Sequence, residues 1–230
     1  MYSINESYKD YVRKVLNEGH YTFKDGKQII ESLGNMIRVD NPLGYDHKAK
    51  YQLIKSGEVL QDIENGVYDM KNNPIKGNSV AIYMQDFVLN NKSGFVYTYP
   101  DRIKTHFGID QFQVMVDRLM EDLGSNRSVA ITLDPKTDSS QNDIPCLQII
   151  QAIVRDRKLV LHVYFRSNDV FGAYYSNMYF LTYIGLLLVE ELNRKDPVNA
   201  NIVFDGLMYY CSSGHVYESD VKQAERLVKG

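Results

Sequence analysis

A chain of 230 residues, 44% hydrophobic and 24% charged, has the length and balance of an ordinary globular protein with a real core. Its formal net charge of −3 gives no basic field to draw nucleic acid or a membrane, so any anion must be held by a local cluster of Arg or Lys. The two cysteines, Cys146 and Cys211, make neither a disulfide framework nor a metal-ligand spacing, so no metal is expected.

The N-terminal stretch "MYSINESYKDYVRKVL" carries Glu, Asp and Lys ahead of any apolar block, unlike a signal peptide. Residues 7–18 place Tyr8, Tyr11, Val12, Val15 and Leu16 on one helical face, with Gly19 as C-cap. Residues 20–45 are mixed, with "IIE" and "NMIRV" as short strands. Residues 46–66 read as helical, 70–79 as a polar loop, and a short element near "VAIYMQDFV" precedes a turn at "NNKSG". Phe112, Met115, Val116, Leu119 and Met120 recur at helical spacing over 109–123, and Gly124 ends that helix. "SVAITL" reads as a strand. Residues 146–154 and 158–165 are two β-rich runs joined by "RDR" as a hairpin. Residues 174–193 form a buried helix, whose apolar core "MYFLTYIGLLLVEEL" falls short of the about 20 residues a bilayer demands. "NIVFDGLMYY" is a further strand, and "ESDVKQAERLV" a closing helix with Ser219 as N-cap. The pattern predicts one α+β domain over residues 1–230, helices packed on a sheet, and a cytoplasmic location.

Several polar residues interrupt these apolar segments. In "DIPCLQ", Pro145 has no N–H for a central ladder, so it marks a strand edge with Cys146 as the first strand residue, able to face a cavity. "RSNDVF" ends the second hairpin strand, where Arg166 and Ser167 can present a guanidinium and a hydroxyl to a phosphate. Asn177 lies early in the buried helix, and an amide matches the O4 and N3–H edge of uracil. His215 and Tyr217, at i and i+2, share one face of an extended segment and can bond a sugar hydroxyl. Arg127 opens a strand after a helix.

This ordered set, "PC", then "RSND", then Asn in the next helix, then "HVY", resembles the thymidylate synthase family. The match runs best from Arg127 to Tyr217, and "TYPDRI" and "IDQFQVMVDRLMEDL" fall in place upstream. The resemblance implies that the Cys146 thiolate adds to C6 of a pyrimidine and makes C5 nucleophilic, a task suited to a cysteine whose pKa is lowered. It implies that Arg166 and Ser167 bind the 5′-phosphate, with Arg127 reaching in from the partner of an obligate homodimer built on a sheet face. Asn177 reads the base, and His215 and Tyr217 hold the 3′-hydroxyl. Asp169 contacts the pterin, Glu58 handles protons at O4, and Tyr99 lies near the C5 proton. The implied reaction is transfer of one carbon from 5,10-methylene-tetrahydrofolate, or a modified tetrahydropterin, to dUMP, giving dTMP.

The chain departs from the common bacterial pattern in five places. Asn126-Arg127 stands for two arginines, and Leu147 follows the nucleophile where His is usual. "FKDGKQI" replaces an arginine-bearing phosphate loop, with Lys24 or Lys27 as substitute point charges. Tryptophan is absent, and Tyr83 and Phe87 lie in the folate region. The chain stops thirteen residues after Tyr217, so the C-terminal extension that closes over the cofactor is expected to be missing. These features resemble short archaeal- or phage-type members. They leave open a hydroxymethyl product, since excluding water favours hydride transfer over hydration. A site that only binds a pyrimidine nucleotide is the further alternative.

Overall fold

The computed structural model describes residues 2–44, 61, 84, 87–88, 97–197 and 201–229. In chain order its elements are α1 (Ile4–Glu18), β1 (His20–Lys24), β2 (Lys27–Val39), α2 (Tyr99–Lys104), α3 (Gln111–Glu121), β3 (Val129–Ile131) and α4 (Pro135–Asp138). There follow β4 (Leu147–Arg155), β5 (Lys158–Asp169), α5 (Tyr174–Lys195), β6 (Val203–Tyr217), a 3-10 turn (Glu218–Asp220) and α6 (Val221–Lys229).

Two tight hairpins and one helical crossover dictate the order of strands. Asp25 and Gly26 both take positive φ (50° and 75°), as do Asp156 and Arg157 (50° and 60°). Two successive left-handed residues match the twist of the strands they join, so β1–β2 and β4–β5 each fold back through two residues. α5 then carries the chain from β5 to β6, which pair in parallel. The sheet order is β1-β2-β6-β5-β4-β3, with every pair but β5–β6 antiparallel. This is the α+β arrangement expected from the sequence.

Local chemistry sets the helix ends. α1 starts three residues before the expected position, because Ser3 and Glu6 form a capping box. Gly19 ends it for lack of room rather than by left-handed geometry: its φ is −74°, and a Cβ there would lie 2.4 Å from the Val15 carbonyl oxygen. α5 is buried on almost every side, as its unbroken apolar run demands. Tyr8, Tyr11 and Tyr174 pack with Tyr209 between α1, α5 and the sheet, Tyr174 meeting Tyr209 edge-on at 5.1 Å and Tyr11 meeting it at 5.8 Å. Gly214 makes room for this cluster, since a Cβ there would fall 1.9 Å from the Tyr11 hydroxyl.

The strands run longer than the sequence suggested. The two short strands expected in 20–45, "IIE" and "NMIRV", are parts of one strand, β2, which runs past Gly34 (φ 66°) in a single register against β6 and pairs with β1 as a hairpin. β5 does not end at Phe165; its parallel ladder pairs Ser167 with Ser213 and Asp169 with His215, so "RSND" is strand and not turn. The same ladder extends β6 from the expected 201–210 to Tyr217. Ser219 lies inside the 3-10 turn and is not the N-cap of the last helix. α2 and α4 were not anticipated. Of the helix expected over 46–66 only Gln61 is described, and it is helical; the loop at 70–79 and the turn at 90–94 lie outside the described residues. Met84 and Phe87 are helical and buried.

The helices cover one side of the sheet. On the other, Leu33, Met36, Ile149 and Tyr164 are exposed while their neighbours in sequence point into the core. Among the described residues no helix is long and apolar enough to cross a membrane.

Candidate active site

The C-terminal end of β5 and β6, the start of β4, the β1–β2 hairpin and the first turn of α5 surround a cavity of about 570 Å³. Cys146, Arg166, Asn177, Tyr217, Asp169 and Lys24 all line it. Six side chains spread from Lys24 to Tyr217 thus meet because the β5–β6 ladder brings two strand ends together.

Cys146 is a free, partly exposed thiol one residue ahead of β4, close to the position its proline predicted. Its loop is pinned by Arg166. The Arg166 amide donates to the Cys146 carbonyl (2.9 Å), Nε to the Pro145 carbonyl (3.1 Å) and Nη2 to the Ile144 carbonyl (2.7 Å). The guanidinium therefore has a structural task beside the expected phosphate clamp, and its remaining N–H groups and its charge stay at the cavity wall. Tyr99 lies on the other side, where its hydroxyl accepts from the Leu147 amide (3.2 Å) and its ring stacks on Phe180. Arg102, three residues further along α2, forms a buried two-pronged ion pair with Asp138 of α4 (2.6 and 3.1 Å). This pair ties the helix of Tyr99 to the segment leading into Cys146.

Asn177 is buried in the first turn of α5, and its Nδ2 donates to Asn168 Oδ1 (3.4 Å). Asn168 in turn donates to the Tyr209 hydroxyl (3.0 Å). With one N–H committed to Asn168, the Asn177 amide keeps an oxygen and one N–H for a ligand, one acceptor and one donor, as a uracil edge requires. Asp169 curls back so that Oδ1 accepts from the Gly172 amide (2.8 Å), and a Cβ at Gly172 would sit 2.3 Å from its Oδ2. Burial raises the Asp169 pKa.

The remaining predicted ligands divide. Tyr217 lines the cavity, with its ring edge against His215. Ser167 and His215 do not line it. His215 is 0% exposed, and Lys24 Nζ stands 3.1 Å from its Nε2 and 3.4 Å from the Ser167 hydroxyl. An ammonium has no lone pair, so Nε2 must accept and the ring must be neutral with its proton on Nδ1. Burial first, then the positive charges of Lys24 and Arg166, push the His215 pKa down to about 4, in keeping with that neutral ring. Arg127 is exposed ahead of β3 and is not part of this cavity's wall. Glu58 and Tyr83 lie outside the described residues. Asn168 and Tyr97, which also line the cavity, were not singled out from the sequence; each is one polar or aromatic residue in a β-rich or turn-like stretch, with no spacing to mark it.

The cavity thus offers a thiol, the cations of Lys24 and Arg166, the Asn177 amide and the carboxyl groups of Asp25, Asp143 and Asp169. Lys24 and Arg166 can meet an anionic group, while the Asn177 amide and the Cys146 thiol face the space where a hydrogen-bonding ring could lie. Among the described residues no three His, Cys, Asp or Glu side chains converge as metal ligands.

Comparison with known proteins agrees. The family model described as "Thymidylate synthase" matches residues 6–229. A Methanothermobacter thermautotrophicus protein named "Putative thymidylate synthase" is 26% identical over 228 residues, 98% of this chain and 96% of that protein. A protein of the same name from Methanothermobacter marburgensis is 26% identical over 98% of this chain and 95% of its own length. One from Methanopyrus kandleri is 32% identical over 64% of this chain and 68% of its own.

Proposed function

The chain belongs to the thymidylate synthase family, and from that premise we propose that it transfers one carbon from 5,10-methylene-tetrahydrofolate, or a related tetrahydropterin, to C5 of dUMP, giving dTMP. The observation that carries this reading is the partly exposed Cys146 thiol sharing one cavity wall with Arg166, Lys24 and Asn177. The reduced folate supplies the carbon and, for a methyl product, the hydride.

The residues divide the work by chemistry. The Cys146 thiolate adds to C6 and sends an electron pair onto C5 and O4. Asn177 donates to O4 and accepts from N3–H, so it holds the ring and stabilises the charge that gathers on O4. Glu58 handles the proton at O4, and Tyr99 receives or relays the C5 proton. C5 bonds to the methylene carbon of the folate as one of that carbon's two C–N bonds breaks. When the proton has then left C5, its electron pair expels the remaining pterin nitrogen and leaves an exocyclic methylene, and hydride addition to that carbon drives the Cys146 thiolate off C6 and restores the ring. Arg166 meets the 5′-phosphate while it secures the loop that aims Cys146, with Ser167 and His215 behind this wall and Tyr217 at the sugar. Asp169 and Tyr83 receive the pterin.

The reading extends to a homodimer in one cytoplasmic domain spanning residues 1–230. Leu33, Met36 and Tyr164 on the uncovered sheet face favour a second copy there, since large exposed apolar groups on one face are a feature of interfaces. Arg127, exposed and outside its own cavity, is then free to serve the partner's.

Mass spectrometry of the product from dUMP and methylene-tetrahydrofolate tests the reaction. A methyl group gained, with dihydrofolate formed, supports the synthase. A hydroxymethyl group, with tetrahydrofolate left, assigns a hydroxymethylase instead. Binding of dUMP without product, and without a covalent adduct to 5-fluoro-dUMP, reduces the protein to a nucleotide binder.

A further inference from the structure

Asn168 stands on β5 opposite Gly214 of β6, is 1% exposed, and still lines the cavity. Its side-chain amide joins two other buried polar groups. Oδ1 accepts from Asn177 Nδ2 (3.4 Å), and Nδ2 donates to the Tyr209 hydroxyl (3.0 Å). Tyr209 is fully buried and is not part of the cavity wall.

A pair of amides has two polarities. In the one observed, Asn177 turns one N–H to Asn168 and keeps an oxygen and one N–H for a ligand. These match the N3–H and O4 of uracil. Were both amides turned over, Asn168 would donate to Asn177 Oδ1, and the oxygen and nitrogen of Asn177 would change places. The oxygen would then meet an amino group at C4 and the nitrogen a lone pair at N3, which is the edge of cytosine. One residue can therefore read either base, and its neighbour decides which.

Tyr209 holds the pair in the first polarity. While its hydroxyl accepts from Asn168, the Asn168 oxygen is left for Asn177. The hydroxyl's own proton has Cys211 and Tyr11 as partners. The acidic residues of the cavity wall, Asp25, Asp143 and Asp169, can accept from an amino group and give no bias towards uracil, so the bias falls to the amides.

We infer that Asn168 is a specificity-determining residue, which sets the polarity of the Asn177 amide and through it the choice of a uracil over a cytosine nucleotide, with Tyr209 as the positioning residue behind it. This rests on the reading of the cavity as a pyrimidine nucleotide site.

Calorimetric titration with dUMP and with dCMP tests the inference, because lost structure weakens both nucleotides together and lost polarity changes their ratio. Wild-type protein prefers dUMP. Asn168→Leu keeps the bulk and removes both bonds, so the dUMP-to-dCMP affinity ratio falls roughly tenfold to hundredfold, with dCMP bound as well as before or better. Asn168→Asp restores most of the ratio, since a carboxylate accepts from Asn177 and from the Tyr209 hydroxyl. Tyr209→Phe also lowers the ratio, and adds nothing in an Asn168→Leu background, since residues that act as a unit are not additive. Should Asn168→Leu fail to fold, Tyr209→Phe carries the test. The inference falls if either variant leaves the ratio where it was, or if Asn168→Asp discriminates no better than Asn168→Leu. Wild-type protein that binds dUMP and dCMP alike also overturns it, and leaves the nucleotide site standing. Wild-type protein that binds neither overturns the nucleotide reading itself, and this inference with it.

Discussion

The sheet is closed at its two ends by the same turn, and the two turns have different fates. At one end Lys24-Asp25-Gly26-Lys27 joins β1 to β2; at the other Arg155-Asp156-Arg157-Lys158 joins β4 to β5. Each has an aspartate followed by a second left-handed residue. The second turn is the richer in basic residues, yet it lies at the start of β5, a strand length from Arg166 and the cavity. The first turn stands beside Ser167 and His215 because Ile29 of β2 pairs with Tyr217 at the end of β6. Charge on a turn therefore does not make a site. The register of the strands behind it does.

The sharpest break of this comparison comes from the chemistry at the cavity end. Cys146→Ser lowers turnover on the order of 10⁴-fold or more, as loss of an attacking nucleophile does, while dUMP still binds by calorimetry and no adduct with 5-fluoro-dUMP forms. Turnover at wild-type rate in that variant would remove Cys146 from the mechanism.

A smaller effect follows from burying His215 at the same end. Its folded pKa of about 4 lies below the ordinary 6.5, so the unfolded chain binds the proton more readily. Stability is then full above about pH 6.5 and falls as the pH drops towards about 4, by about 3 kcal/mol from this one group. Urea unfolding across that interval measures it. His215→Asn flattens the slope there, and an unchanged slope would mean another group carries it.

The smallest effects test the turns as a pair. Arg157 is a side-chain-bearing residue in the left-handed region at the second central position, where glycine is favoured. Arg157→Gly raises stability by about 1 kcal/mol and leaves turnover unchanged. Gly26→Ala, with φ at 75° and open space around the added Cβ, costs about 1 kcal/mol by backbone strain alone. Because that strain moves Lys24, it also weakens dUMP several-fold. Equal effects of the two substitutions on dUMP affinity would erase the distinction between the ends.

Much of this was legible in advance, for physical reasons that differ by element. α1 and α3 show one apolar face at helical spacing, and α5 an apolar run, so all three could be read directly. β2 could not, because Leu33 and Gly34 are both exposed and the left-handed glycine interrupts the alternation that marks a strand. β5 looked finished at Phe165 because Arg-Ser-Asn-Asp has the composition of a turn; only the partner strand β6 shows that its backbone groups remain in a ladder. At the site, Cys146, Arg166, Asn177, Asp169 and Tyr217 were named from the sequence and do meet at one cavity. That Lys24 screens Ser167 and His215 from it was out of reach, since it depends on three strand ends at once. Asn168 was equally hidden: its value lies in a bond to Asn177 that no linear spacing records.

The tyrosine cluster has an optical consequence. With 18 tyrosines and no tryptophan, the protein's ultraviolet emission comes from phenol rings alone. Tyr11, Tyr174 and Tyr209 lie within 6 Å of one another, centre to centre, and Tyr209 is bonded through Asn168 to the cavity amide. The emission is thus a built-in reporter for the cavity wall that carries Asn168 and Asn177. A single tryptophan placed at Phe171, whose carbonyl receives the Tyr8 hydroxyl beside Asp169, would stand as the sole red-shifted signal against a silent background.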